Sequence, residues 1–386
     1  MGIPLTYNLR NLMVRRTTTV MTAMGMALTV VVLLAALALV DGLRAAFRSS
    51  GDARNVLVLR KGSSSELSSA ISQETYRDIL YAPGVAENGG NRMASLELIT
   101  VVTLPKPGNL NGQAVTLRGL LPIGIELRQV SLQEGRWFQA GQRELVVGRA
   151  IAQRCPAAQV GDWLRIGSSE WQVVGVMDAG GSAVDSEIFA DLNVVSNYFH
   201  RSDQLSSVLL RATDQGSLPE LIQSLNNDQR LNVNAQTEKA YYQAQAASGA
   251  SLEHLGVLVA LIMSVGSAFQ AMNTMYAAVA RRSREIGTMR VLGFSRRSLL
   301  LSFLIESLLL AGLGGVLACL LALPLNFVTT AIGNFSTMSE TAFRFHVGPV
   351  AIGIGMVFAL FMGGMGGFLP ARNAARKQIL RALREN

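Results

Sequence analysis

Four stretches of this chain are long and apolar enough to cross a hydrocarbon core, which takes about 20 apolar residues in helical form. They cover residues 17–40, 255–280, 298–323 and 347–369; the third contains one acid, Glu306, and the others contain no charge. The composition agrees. Apolar residues make up 49% of the chain and charged ones only 16%, where a soluble domain carries about 25% charged residues. That balance excludes an intrinsically disordered chain. Two cysteines in 386 residues exclude a disulfide scaffold. Cys155 and Cys319 have no metal-type partner spacing and read as small apolar filler.

Between the first and second stretches lie 213 residues, 41–253, which is a domain rather than a loop. Residues 41–253 hold 19 basic and 22 acidic residues, whereas the rest of the chain holds 15 basic residues against four acids. Fourteen of those 15 fall at Arg10–Arg16, Arg281–Arg297 and Arg372–Arg384, all on one side if every stretch spans. Short loops rich in Arg and Lys stay in the cytoplasm. Both termini and the 281–297 segment are therefore expected inside, with 41–253 and the 324–346 loop outside. The net charge of +8 is then a consequence of topology and gives no reason to invoke nucleic acid. The first stretch, 24 uncharged residues, exceeds the 7–15-residue core of a signal peptide and reads as an uncleaved span.

Within 41–253 the pattern predicts an outer α+β domain. Residues 55–59 (NVLVL), 96–104 and 114–117 read as strands and 72–80 as a helix. After Pro122 come closely spaced strands at 144–147, 163–166 and 171–176, the last two joined by a Gly-Ser-Ser-Glu turn. A strand at 206–211, a helix at 218–225 and a strand at 231–235 follow. The spacing suggests an α+β subdomain from 50–120 and 203–240, with a β-rich subdomain inserted at 121–202. Residues 237–252 look helical and are expected to run into the second span as a stalk.

No catalytic, cofactor or metal site is expected. The domain's only histidine is His200, and there is no nucleophile elbow. No His/Cys/Asp group has metal-ligand spacing, and the acidic, Gly-rich segment 178–187 lacks the spaced ligands of an EF-hand. The chain contains no G-x-x-x-x-G-K-[ST], so no Walker-type phosphate cradle is present.

The most informative segment is 281–297, RRSREIGTMRVLGFSRR. It leaves the second span, forms a short helix to about Leu292, breaks at Gly293-Phe294 and enters the third span. Its arginines suit anionic headgroups. Ile286, Met289 and Leu292 recur at i, i+3, i+6, an apolar edge beside a basic one that is suited to another protein's groove. Here the chain resembles the FtsX-like (MacB-type) permeases of ABC transporters. The resemblance rests on Arg284-Glu285-Ile286-Gly287 with Arg290 and Leu292-Gly293, on the run from Glu306 to Gly315, and on Pro370-Ala371-Arg372-x-Ala374-Ala375. The turn Gly135-Arg136-Trp137 and the strand Val173-Val174-Gly175-Val176 extend it into the outer domain.

The resemblance implies an α-helical membrane protein with four transmembrane helices and a large extracytoplasmic α+β domain, in the bacterial cytoplasmic membrane. It implies a non-catalytic subunit working by mechanotransmission with a separate ATPase subunit, which binds ATP and Mg. That subunit would dock on the coupling helix through Arg281, Arg282, Arg284, Glu285, Ile286, Gly287, Met289, Arg290, Leu292 and Gly293. A second permease copy or a paralogue, a periplasmic adaptor and membrane lipids are the further expected partners. Exported or extracted substrates of such proteins are hydrophobic or amphiphilic. The alternative is a regulatory module that signals to an extracytoplasmic enzyme such as a cell-wall hydrolase. Glu306 is an intramembrane acid and a functional candidate on that ground, with a structural hydrogen-bond or packing role favoured. Gly312, Gly315, Gly363 and Gly367 are expected to permit close helix approach, the last two as a GxxxG.

Overall fold

The computed structural model describes residues 13–14, 16–106, 109–247, 250–281, 283–334 and 338–376. After α1 (Arg16–Arg48) the chain builds β1 (Asn55–Arg60), α2 (Gln73–Leu80), the short pair β2 (Glu87–Asn88) and β3 (Asn91–Arg92), then β4 (Ala94–Lys106) and β5 (Asn109–Leu120). Next come α3 (Pro122–Arg128), β6 (Ser131–Gly135), β7 (Glu144–Gly148), α4 (Arg149–Arg154), β8 (Trp163–Ile166), β9 (Ser169–Asp178), β10 (Glu187–Asp191) and α5 (Leu192–Tyr198). They are followed by β11 (Ser207–Arg211), α6 (Leu218–Asn227), β12 (Val233–Thr237) and α7 (Glu238–Ala247). The remainder is α8 (Ala250–Arg281), α9 (Ser283–Val291), α10 (Arg296–Ala322), β13 (Thr329–Asn334), β14 (Ser339–Arg344) and α11 (Pro349–Arg376).

Two compact units result. The described residues of the sheet unit fall within Gly42–Gly249 and Thr329–Arg344. Those of the helical unit fall within Met1–Asp41, Ala250–Val328 and Phe345–Asn386.

The sheet unit is organised by ten strands in the order β12-β1-β11-β4-β5-β10-β7-β9-β6, with β8 on β9. Local chemistry sets many of the boundaries. Ser72 caps α2 by accepting the Thr75 N–H at 3.1 Å, as N-cap serines do. Gly167, at φ +59°, turns β8 back onto β9, a conformation that a side chain disfavours. Segments 55–120 and 207–237 form one half of the sheet and 131–191 the other. The two halves are joined by a parallel pairing of β5 with β10, Thr116 to Leu120 against Glu187 to Asp191. The suggested subdomains are thus halves of one continuous sheet, because β10, which has no clear signal in the sequence, pairs across the boundary. Their cores are also shared: Val56, Leu117 and Leu210 of one half lie in the same buried cluster as Leu145, Trp171 and Ile188 of the other.

Two further differences from the sequence reading concern the edges of this unit. The helix that begins with the first apolar stretch does not stop near residue 40. It continues to Arg48, and its last turns bury Leu43, Ala46 and Phe47 within the sheet unit. The 324–346 segment is no plain loop: β13 and β14 pair as a hairpin that belongs to the sheet unit. Thr116 Oγ1 donates to Ser339 Oγ at 2.7 Å, and the Ala342 N–H donates to Ser186 Oγ at 2.8 Å. The expected stalk is α7, ending at Ala247, and α8, beginning at Ala250; residues 248 and 249 between them lie outside the described residues.

Among the described residues, four helices are long and apolar enough to span a membrane: Arg16–Arg48, His254–Arg281, Arg296–Phe327 and Pro349–Ala375. Small residues set their approach. A Cβ on Gly315 would lie 3.0 Å from Ala359 Cβ, one on Gly314 2.9 Å from the Ala23 carbonyl oxygen, and one on Gly366 2.9 Å from the Ala268 carbonyl oxygen. At Gly363 and Gly367 it would strike Ala311 and Ser307. The GxxxG therefore packs α11 on α10 within one chain. Gly312 is a correction: nothing lies within 4 Å of its Cβ position, and the close approach to α1 is made at Gly314 instead. Hydroxyls add to the packing. Ser307 Oγ donates to the Gly363 carbonyl at 2.6 Å, and Thr29 on α1 pairs with Ser267 on α8.

Candidate functional site

The segment from Ser283 to Ser295 is built as a helix held from one side. Gly293, at φ +91°, ends α9 in a left-handed turn. The Phe294 N–H reaches back to the Met289 carbonyl at 3.1 Å and the Gly293 N–H to that of Arg290 at 3.2 Å, the pattern of a glycine C-cap. Arg290 contributes to the same turn: its Nη1 donates to the Phe294 carbonyl at 3.3 Å, and a cation at a helix C-terminus is favoured by the dipole. Ser295 then caps α10 by accepting the Ser298 N–H at 3.2 Å.

The apolar edge anticipated from Ile286, Met289 and Leu292 is divided by the fold. Ile286 is 1% exposed and packs in a cluster with Met275, Val279, Leu299, Phe303, Ala371 and Ala374. Met289 is half-buried against the same cluster, and Gly287 is buried. These residues anchor α9 to the bundle and are not available to a partner. The reason is α11: it runs on through Pro370 to Arg376 and presents its alanines to Ile286. Two motifs that begin 86 positions apart in sequence, Arg-Glu-Ile-Gly and Pro-Ala-Arg, are thereby joined.

The outward side is Arg281, Glu285, Thr288, Val291 and Leu292, all exposed, with Val291 62% and Leu292 69% exposed. Gly293 is exposed beside them. Thr288 and Val291 were not among the expected contact residues. Thr288 had a signal, since Glu285, Thr288 and Leu292 recur at i, i+3 and i+7 along one side of the helix; Val291 lies off that series. Arg282 and the side chain of Arg284 lie outside the described residues. Glu306 is buried, 5% exposed, in α10 one residue before Ser307, so it faces protein rather than lipid.

Comparison with known proteins assigns both parts of the chain. Residues 19–228 match the model of the MacB-like periplasmic core domain, and residues 257–379 match that of the FtsX-like permease C-terminal domain. The macrolide export ATP-binding/permease protein MacB of Bdellovibrio bacteriovorus is 25% identical over 288 residues, 69% of this chain and 43% of that protein. The pyoverdine export ATP-binding/permease protein PvdT of Pseudomonas fluorescens is 30% identical over 275 residues, 65% of this chain and 40% of that protein. The chain spans about two fifths of the length of these curated relatives. A crystal structure of the periplasmic region of MacB from Actinobacillus actinomycetemcomitans matches 51% of this chain and 94% of that one at 10% identity, with a TM-score of 0.39.

Proposed function

The chain belongs to the FtsX/MacB-type permeases of ABC transporters, and on that premise we propose that it couples ATP hydrolysis in a separate ATPase subunit to movement of its sheet unit. The movement drives export or extraction of a hydrophobic or amphiphilic molecule, in keeping with relatives named for macrolide and pyoverdine export. In this reading the protein is multi-pass in the bacterial inner membrane. The arginines around α9 hold that helix at the cytoplasmic face, and the sheet unit lies outside. A dimer is part of the proposal. Only 17% of the apolar window of α8 is buried, against 50% for that of α1, so Leu258, Ile262, Val265 and Phe269 are left for lipid and a second permease copy.

The observation that carries the reading is the two-sidedness of α9. Its inner side is fixed to α10 and α11 through Ile286, while Val291 and Leu292 are exposed next to charged residues. A helix so held transmits a push without absorbing it, and its outer side offers a compact apolar contact of the helix-in-groove kind. The test is co-purification of the ATPase subunit with the double variant Val291→Asp and Leu292→Asp. Loss of two central apolar contacts should reduce capture by about tenfold or more, with the permease still inserted and folded. Undiminished capture would remove α9 as the coupling site.

A further inference from the structure

Six charged side chains lie buried together in the sheet unit, and none of them has a part in the docking of α9. Arg118 on β5 donates to Glu187 on β10 through Nε and Nη2, at 2.6 and 2.9 Å. It donates to Glu66 through Nη1 and Nη2, at 2.9 and 3.1 Å, and to Glu97 on β4 at 2.6 Å. The same Glu97 accepts from Arg128 of α3 at 2.7 Å. Arg128 Nη1 in turn donates to Glu238 and to the Tyr242 hydroxyl of α7, both at 3.2 Å. Glu238 accepts further from Asn55 Nδ2 at 2.9 Å and the Asp52 N–H at 3.1 Å. No side chain among these six ions is more than 11% exposed.

Removing an ion from water costs several kcal/mol, and well-packed apolar residues often stabilise a core as well as a buried ion pair does. Stability alone is therefore a weak reason for such a cluster. Its position gives a better one. Arg118 and Glu187 grip each other across the β5–β10 seam, the one pairing that joins the two halves of the sheet. The bonded chain Glu187–Arg118–Glu97–Arg128–Glu238 then ends on the first turn of α7. The Phe47 ring of α1 stacks on Tyr242 there, with centroids 6.4 Å apart. A cavity of about 30 Å³ beside Arg118 is walled by Phe47, Tyr242 and Gln245 on one side and by Ser339 and Thr341 of the β13–β14 hairpin on another. The end of α1, α7 and the hairpin thus all meet at this cluster.

We propose that the buried cluster is a clamp that fastens both halves of the sheet and the first turn of α7 into one body, so that displacement of α7 carries the whole sheet unit without opening the β5–β10 seam. The clamp deepens the proposed function and rests on it for its purpose, because a unit that is pushed through its helices has to resist hinging at the join between its two halves. Packed networks with discrete arrangements pass displacement on rather than deforming continuously.

The experiment is hydrogen exchange on the full chain in lipid nanodiscs, comparing Glu187→Gln, Glu238→Gln, the double variant, and Arg230→Ala as a control at the exposed Asp228 pair. A clamp requires coupling between its two ends. Each single variant should speed exchange about tenfold both along β5–β10 and in the first turn of α7, and the double variant should do less than the product of the singles. Loosening confined to the mutated end, with multiplicative effects in the double variant, would overturn the proposal. An equal effect of Arg230→Ala at the seam would overturn it as well. Should a carboxamide variant fail to fold, Tyr242→Phe, which takes one acceptor from Arg128, makes the same comparison. Addition of the ATPase subunit and ATP to wild type separates the two readings. No ATP-dependent change in the sheet unit would sink the functional reading while leaving coupling within the cluster intact.

Discussion

The helical unit makes its closest contacts with glycines and hydroxyls, whereas the sheet unit places six ions in its interior. In lipid there is no hydrophobic gain from bringing two helices together, so association depends on close packing and interhelical hydrogen bonds. Gly314, Gly315, Gly363, Gly366 and Gly367 meet that need, each within 3.0 Å or closer of a neighbouring helix once a Cβ is imagined. In the sheet unit, apolar burial already favours collapse, and its large shared core leaves room for a cluster that is expensive to desolvate but directional. The first unit is held by what its residues lack and the second is joined by what they carry. Substitutions should therefore act on them through different physics.

The largest effect is expected at Arg118. Arg118→Met leaves Glu66, Glu97 and Glu187 buried without the guanidinium between them, and breaking a buried pair in this way costs about 3–5 kcal/mol. Proteolysis of the full chain in detergent should show the sheet unit cleaved at lower temperature while the spans stay protected. An unchanged threshold would mean that the cluster is dispensable to the unit's stability and that the contrast is misdrawn. A smaller loss, about 1–3 kcal/mol from overpacking, is expected for Gly363→Leu, read as a lower melting temperature in detergent. Gly312→Ala has open space and should be neutral or stabilise by up to about 1 kcal/mol. Equal losses at the two glycines would contradict close packing as the basis of α10–α11 association.

The smallest effect is a change in pH dependence, and its two parts have opposite sign. Burial alone pushes the Glu66 carboxyl up, but the Arg118 guanidinium, with Arg128 and the Ser207 hydroxyl, outweighs it and holds the carboxyl at about 2, below its ordinary 4.5. The stability Glu66 contributes is present above pH 4.5 and lost as pH falls toward 2. Burial raises Glu238 above 4.5 against the pull of Arg128. Its contribution is present below 4.5 and lost as pH rises through the raised value. In denaturation series of the sheet unit across pH, Glu66→Gln should flatten the acid limb and Glu238→Gln the decline above pH 4.5. Unaltered profiles would separate both groups from the unit's stability.

Much of the architecture was legible because its causes are local. Lipid demands long uncharged runs, so the four candidate spans stand out in the chain. Ser72, Gly167, Gly293 and Ser295 mark turns and caps by their own chemistry. The strand at 163–166 alternates cleanly, and the Arg-Glu-Ile-Gly segment with its glycine stop identifies α9. The outward face of α9 was partly legible, since Arg281, Glu285, Leu292 and Gly293 were among the expected contact residues and Thr288 and Val291 were not.

What the chain's residues determined unaided, then, was the place of the apolar helices, the existence of a mixed α/β unit between the first two, and the position of the short helix α9 between the second and third. Only tertiary structure decided that Ile286 turns inward, because its direction depends on Ala371 and Ala374 arriving from another helix. Only tertiary structure joined the two halves of the sheet, since β5 and β10 lie nearly 70 residues apart and pair in parallel. The buried ions show the same limit. Arg118 stands in an apolar run, TLRGL, where nothing nearby in sequence announces a partner, and the three carboxylates it binds, Glu66, Glu97 and Glu187, come from three separate parts of the chain. Periodicity and capping are set within a few residues; which face is covered, and by what, is set by contacts that close long loops.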